Sequence, residues 1–238
     1  MKSLSINKKA FLCLIAMAVS TLTLKAQETK NVAINNFTEV AVGAGIGLYI
    51  TQGSTESARI VADDDVINDV VLEKSGGRIK VGWKDNWGMK KMWKNRNAKV
   101  YITYKKLNSI SASSGSSLTT ENTLKTDHLD ASVSSGASMN AKISCNELQL
   151  ETNSGASVSL AGTATNMEIK SSSGSSVNAI NLATQYARAN TNSGADIRIN
   201  VTKGLETNTS SGSNIRYKGA AALKNTSNSR SSSVSRID

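Results

Sequence analysis

The stretch that decides the fold is Leu148-Gln149-Leu150-Glu151-Thr152-Asn153-Ser154-Gly155-Ala156-Ser157-Val158-Ser159-Leu160. Apolar and polar residues alternate on both sides of an Asn-Ser-Gly interruption, the pattern of a β-strand broken by one bend. Reading outward, the tripeptide (Ser/Asn)-Ser-Gly ends at Gly115, Gly136, Gly155, Gly174, Gly194 and Gly212, at intervals of 21, 19, 19, 20 and 18 residues. A small residue, a polar one and an aliphatic one follow each glycine, as in Ala137-Ser138-Met139 and Ser213-Asn214-Ile215. A Ser/Gly linker would show neither the spacing nor the alternation.

Strand alternation inside a period near 19 residues predicts an all-β, single-domain parallel β-helix, or β-solenoid. Each coil then holds two or three short strands joined by turns. Continued from Leu148, the alternation puts Leu150, Thr152, Ser154, Ala156, Val158 and Leu160 on one face. Ser114, Ser135, Ser154, Ser173, Ser193 and Ser211 are therefore expected to stack as an interior hydroxyl ladder, since hydroxyls both donate and accept. The adjoining glycines mark bends or close backbone approaches. Such a core suits a chain with 4% aromatic residues, 17 Gly and no Pro.

The repeat decays at the end. Counted from Leu223, Arg230 falls where a glycine belongs, and residues 223–238 read as a degenerate last coil that caps the solenoid domain of residues 27–222. Ahead of the repeat, the strands are less regular: Val40-Ala41-Val42, Gly47 to Thr51, Ala58 to Val61, Arg78 to Val81 and Lys99 to Thr103. Asp63-Asp64-Asp65 before Val66-Ile67 reads as a capped helical turn; the Asp/Asn-Gly spacing and distal Glu of a calcium loop are missing.

Residues 1–26 read as a signal peptide. Lys2, Lys8 and Lys9 precede an apolar run from Ala10 to Leu24, with cleavage expected after Ala26. The protein is thus expected in the periplasm, at the cell surface or outside the cell. Four of the 28 basic residues and none of the 18 acids fall in this segment, so cleavage lowers the formal charge from +10 to +6. Cys145 is then the only thiol, which excludes an intramolecular disulfide. With a single His, a metal site is not expected, and no motif calls for a cofactor.

Charge gathers in one place. From Arg78 to Lys106 there are ten Lys/Arg against one Asp, and all three tryptophans, Trp83, Trp87 and Trp93, lie there. With Lys90, Lys91, Lys94 and Arg96 they form a candidate ligand-binding segment. Flat amphipathic rings among cations suit a glycan or an anionic surface. The plainer reading makes the rings a cover for the N-terminal side of the solenoid. Nucleic acid fits the charge but not export.

Asn36-Phe37 before Val40-Ala41-Val42, then Ile50-Thr51-Gln52-Gly53, resembles the opening of the head GIN domain of auto-transporter adhesins. Ala62-Asp63-Asp64-Asp65, Gly77 to Val81, Val100 to Tyr104 and Leu107-Asn108-Ser109-Ile110, running into Ser113-Ser114-Gly115, continue the pattern. The resemblance spans about residues 31–220 and implies an exported β-helical domain of bacterial envelopes, with no catalytic residues to carry over. Where relatives often have a Pro before the first repeat, this chain has Lys105-Lys106.

The expected function is an exported, non-enzymatic surface protein of adhesin type, binding carbohydrate or an envelope or host protein through solenoid faces and the basic tryptophan segment. A scaffold or regulatory partner domain is the alternative. A polysaccharide-active enzyme is a weaker one: Glu151 and Glu168 sit at comparable repeat positions without an acid partner, Asp130 and Arg188 lie in nearby columns, His128 stands alone, and the serines lack a base. Unpaired β edges at the ends make a homo-oligomer a natural way to cover them.

Overall fold

A computed structural model describes residues 27–84, 97–227 and 229–237. The expected signal peptide therefore lies outside the described residues, as do Trp87, Lys90, Lys91, Trp93, Lys94 and Arg96. The strands of the first half are β1 (Gln27–Val32), β2 (Glu39–Val42), β3 (Gly47–Gln52), β4 (Ser57–Asp63), β5 (Val70–Ser75), β6 (Arg78–Trp83) and β7 (Ala98–Tyr104). The repeat region follows as β8 (Ser109–Ala112), β9 (Ser117–Thr120), β10 (Leu124–Lys125), β11 (His128–Val133), β12 (Ser138–Thr152), β13 (Ser157–Ser171) and β14 (Ser176–Thr191). β15 (Asp196–Thr209), β16 (Asn214–Lys218), β17 (Ala222–Asn225) and β18 (Ser233–Arg236) close it.

The chain is a parallel β-solenoid, as the repeat predicts. Ser138 pairs with Ser157, Ser157 with Ser176, Ser176 with Asp196 and Asp196 with Asn214, so successive coils stack in register. Aliphatic columns fill the interior. One runs Met139, Val158, Val177, Ile197 and Ile215, all buried, and each such side chain is worth about 1.5–3 kcal/mol when fully buried.

The corners differ from the expected interior ladder. Ser114, Ser135, Ser154, Ser173, Ser193 and Ser211 are all exposed, with φ of 52–53°. Strand alternation holds only while φ and ψ stay in the β region; a left-handed residue swings its side chain outward. The following glycines have φ of 69–72°, so each corner is a left-handed Ser-Gly pair. Their role is that conformation and not a tight approach, since nothing lies within 4 Å of where a Cβ would stand.

The residue after each glycine is the one that points inward. Ser116, Ala137, Ala156, Ser175, Ala195 and Ser213 are buried. The serines among them close their own turns: Ser116 Oγ donates to Ser113 O at 2.7 Å and accepts the Ser113 amide at 3.1 Å. A hydroxyl ladder does exist inside, but at other residues. Thr152 Oγ1 donates to Ser171 Oγ at 2.9 Å, and Ser175 Oγ lies 2.8 Å from Ser171 Oγ.

The first half is more regular than its sequence. β2 and β3 form a coil around Gly43-Ala44-Gly45-Ile46, where Ala44 (φ 55°) and Gly45 (φ 76°) repeat the left-handed corner. β2 pairs in parallel with β6 on one side and β8 on the other; β3 does the same with β7 and β9. Beyond this coil the fold turns antiparallel. β5 and β6 make a hairpin over Gly76-Gly77, β4 covers β7, and β1 covers β4. The expected helical turn is a single 3-10 turn, Ile67–Asp69, and no side chain caps it.

At the C-terminal end, β18 still stacks in register, Asn214 opposite Ser233. That register puts Ser231, not Arg230, at the glycine position, because the corner between β17 and β18 is one residue longer than the count from Leu223 assumes.

Candidate functional site

The N-terminal end of the stack carries the candidate basic segment. Val42 faces Val81 and Gly47 faces Lys99, so residues 82–98 span the place where the next coil needs only the four residues 43–46. The basic stretch is an insertion at the corner of the outermost coil. Of its candidate residues, Trp83 is described: half-buried against the core, with its indole Nε1 donating to Ala44 O at 2.8 Å. This contact belongs to the wall of the solenoid and fits the plainer reading for Trp83.

Two grooves cross the stacked coils. The larger, about 830 Å³, has Cys145, Ala164 and Thr184 along its floor and Lys105, Lys106 and Lys125 at one end. The Cys145 thiol is buried, and that burial pushes its pKa up to about 11. It is therefore a protonated, weakly nucleophilic group at neutral pH.

The second groove, about 570 Å³, lies on the face that carries Gln149, Glu168, Arg188, Glu206 and Lys224. These five occupy one column, in register from coil to coil. Asp130 belongs to it as well, opposite Gln149, whereas Glu151 stands one column away beside Lys170. The sequence-based placement of Glu151 with Glu168 is thus corrected. The acids of the column are paired within it and from the next: Arg188 Nη2 lies 3.3 Å from Glu206 Oε2, Lys224 Nζ 3.8 Å from Glu206 Oε1, and Lys170 Nζ, one column away, 3.6 Å from Glu168 Oε1.

Tyr186 stands beside this column, 49% exposed, and Leu223 is 41% exposed; these are the exposed large hydrophobics among the described residues. The Tyr186 ring leans over Gly204, where an added Cβ would meet its Cδ1 at 3.1 Å, and Lys203 Nζ sits 5.6 Å from the ring centroid. Sequence reasoning passed over Tyr186. The alternation could have found it, because inward Ala187 and Ala189 force Tyr186 and Arg188 outward.

His128 is not alone. Its Nε2 is 3.0 Å from Asp130 Oδ1 and its Nδ1 3.3 Å from Glu147 Oε2, all three side chains being well exposed. Both ring nitrogens face carboxylates, an arrangement that holds the ring in place and leaves neither nitrogen aimed at a serine. Among the described residues, no cluster of His, Cys, Asp and Glu could hold a metal ion. The repeated serines at the corners are turn residues.

The same fold appears in solved structures. A putative adhesin from Bacteroides fragilis NCTC 9343 superposes with a TM-score of 0.79 at 21% identity, covering 90% of this chain and 98% of that one. One from Parabacteroides merdae ATCC 43184 gives 0.72 at 20% identity, covering 89% and 96%. A putative lipid binding protein from Parabacteroides distasonis ATCC 8503 gives 0.69 at 16% identity, covering 89% and 97%. No curated protein matches significantly. The family described as "Putative auto-transporter adhesin, head GIN domain" matches residues 36–221, most of the chain, and the protein belongs to that family.

Proposed function

We propose that the chain is exported and acts as a non-catalytic recognition module of adhesin type, presenting its lateral faces to carbohydrate or protein. The observation that carries this reading is the pair of grooves. Each crosses successive coils, so an extended ligand meets side chains spaced regularly, rung by rung, about 4.8 Å apart. Membership of an adhesin family supports it. The basic insertion at the outermost corner adds attraction for an anionic surface, reaching over roughly a Debye length.

Proteolysis of intact cells, glycan arrays and pull-down from envelope extract test the reading together. Cleavage of the protein on whole cells and retention of a glycan or protein ligand are expected, along with a mature N-terminus at Gln27. Full protection on intact cells would overturn the adhesive role. Binding to anionic vesicles should weaken with salt and in a Trp87→Ala/Trp93→Ala variant; binding unchanged in both would remove the basic segment from the ligand surface.

A further inference from the structure

We infer that Tyr186 is the stacking platform of a subsite for a neutral oligosaccharide, with Gly204 and Ala222 as its shelf and the Arg188–Glu206 pair as its polar wall. The inference rests on the proposal that the lateral faces bind ligands, and it names the place and the chemistry.

Tyr186, Gly204 and Ala222 stand in register on successive coils. The side chain shrinks from a ring to a hydrogen and then to a methyl, which leaves a step in the wall. The ring leans across Gly204, where an added Cβ would stand 3.1 Å from its Cδ1 and push it by a few tenths of an ångström. A half-exposed phenol in this position offers an apolar face with a polar tip, the shape that receives the C–H face of a sugar ring.

The surroundings select among ligands. Glu147, Glu168 and Glu206 are offset by Arg188 and Lys224 and by Lys170 and Lys203 beside the groove, so the face has little net charge with which to draw an ionic ligand. Tyr186 and Leu223 alone give too little exposed apolar surface for the buried core of a protein interface. What the face does offer is side chains whose donors and acceptors are already ordered by ion pairing, and such groups bind neighbouring hydroxyls without bringing net charge to the contact. The groove, about 570 Å³, is within the range of small-ligand clefts, roughly 300–1,000 Å³. A neutral polyhydroxyl chain lying across the coils satisfies all four conditions.

The test measures retention of the full mature protein on immobilised tetrasaccharides of N-acetylglucosamine, mannose and galactose, with polygalacturonate and heparin as anionic comparisons. Wild-type protein should retain a neutral tetrasaccharide with little dependence on salt. Tyr186→Ala should lose about tenfold in affinity, the size of one lost stacking contact with its buried area, while Tyr186→Phe stays close to wild type. Gly204→Ala, which displaces the ring, should weaken binding without lowering the unfolding midpoint by more than a few degrees. Failure of the wild type to retain any neutral glycan, or full affinity in Tyr186→Ala, overturns the subsite. A protein that captures a stoichiometric protein partner but no neutral glycan overturns this inference and leaves the adhesive reading standing.

Discussion

The indole Nε1 of Trp83 donates to the carbonyl oxygen of Ala44, and that bond is the first rung of a column that runs along the molecule. Above it, Gly45 N–H donates to Ser114 O, Gly115 to Ser135, Gly136 to Ser154, Gly155 to Ser173, Gly174 to Ser193 and Gly194 to Ser211, at 2.9–3.0 Å. Each carbonyl in the column takes its proton from the corner glycine of the coil before. Among the described residues, Ala44 O stands at the N-terminal end of this column, and its donor is the Trp83 indole.

Trp83→Phe keeps the packing and removes the donor. We expect a loss of about 1 kcal/mol in unfolding free energy, the usual net value of one such hydrogen bond. Hydrogen exchange should quicken at the corner amides of the β2–β3 coil and stay unchanged at Gly174 and Gly194. Equal acceleration at all corners would refute a local role.

At the corners, strain and side-chain preference set the sign of each substitution. Ser154→Asn should raise stability by about 0.5 kcal/mol, because Asn tolerates the left-handed region better than Ser. Ser154→Val and Gly155→Ala should each cost about 1–2 kcal/mol, although nothing stands within 4 Å of the Gly155 position. Urea unfolding of the three variants measures this; a neutral Gly155→Ala would show that conformation is not what the glycine provides.

Two threonines in one interior column should behave oppositely. Thr152 Oγ1 bonds to Ser171 Oγ and faces Ser175 Oγ, whereas Thr191 Oγ1 is buried without a partner. Thr191→Val is expected to stabilise by about 1 kcal/mol, since it removes an unsatisfied hydroxyl at constant shape. Thr152→Val should destabilise by a similar amount, by leaving two serine hydroxyls short of a partner. Thermal unfolding of the pair decides it, and a destabilised Thr191→Val would contradict the assignment.

The Cys145 thiol gives a pH dependence. Burial raises it from 9.0 to about 11, so between those values the unfolded chain loses its proton first. Stability should therefore fall as pH rises from about 9 through about 11, and Cys145→Ala should remove that part of the fall. Alkylation of the folded protein at pH 8 should be far slower than in denaturant; equal rates would mean the thiol is open to solvent.

The repeat region was legible because its period is fixed: Ser154-Gly155 and Ser173-Gly174 are neighbours both in sequence spacing and in space. What escaped was the direction of Ser154, since alternation was carried through a corner where two left-handed residues suspend it. The first-half coil escaped for another reason. Gly43-Ala44-Gly45 has its spatial neighbours in β6 and β8, segments with no common spacing from it, so no period could reveal the corner. Tyr186 is an aromatic on the outward phase, but a single tyrosine in a Ser/Thr/Asn-rich strand gives a weaker signal than three tryptophans clustered among cations. Of these, Trp83 turns out to hold the wall together.

The coil of β2 and β3 is flanked on both sides by strands made later in synthesis. Assembly of this end cannot simply follow the order in which the polypeptide is threaded out of a ribosome or a translocation pore. One side of this rung stays bare until β6 and β7 have emerged, and the other until residues near 120 arrive with β8 and β9. For that interval the nascent chain offers unpaired β edges, the kind of surface that aggregates most readily.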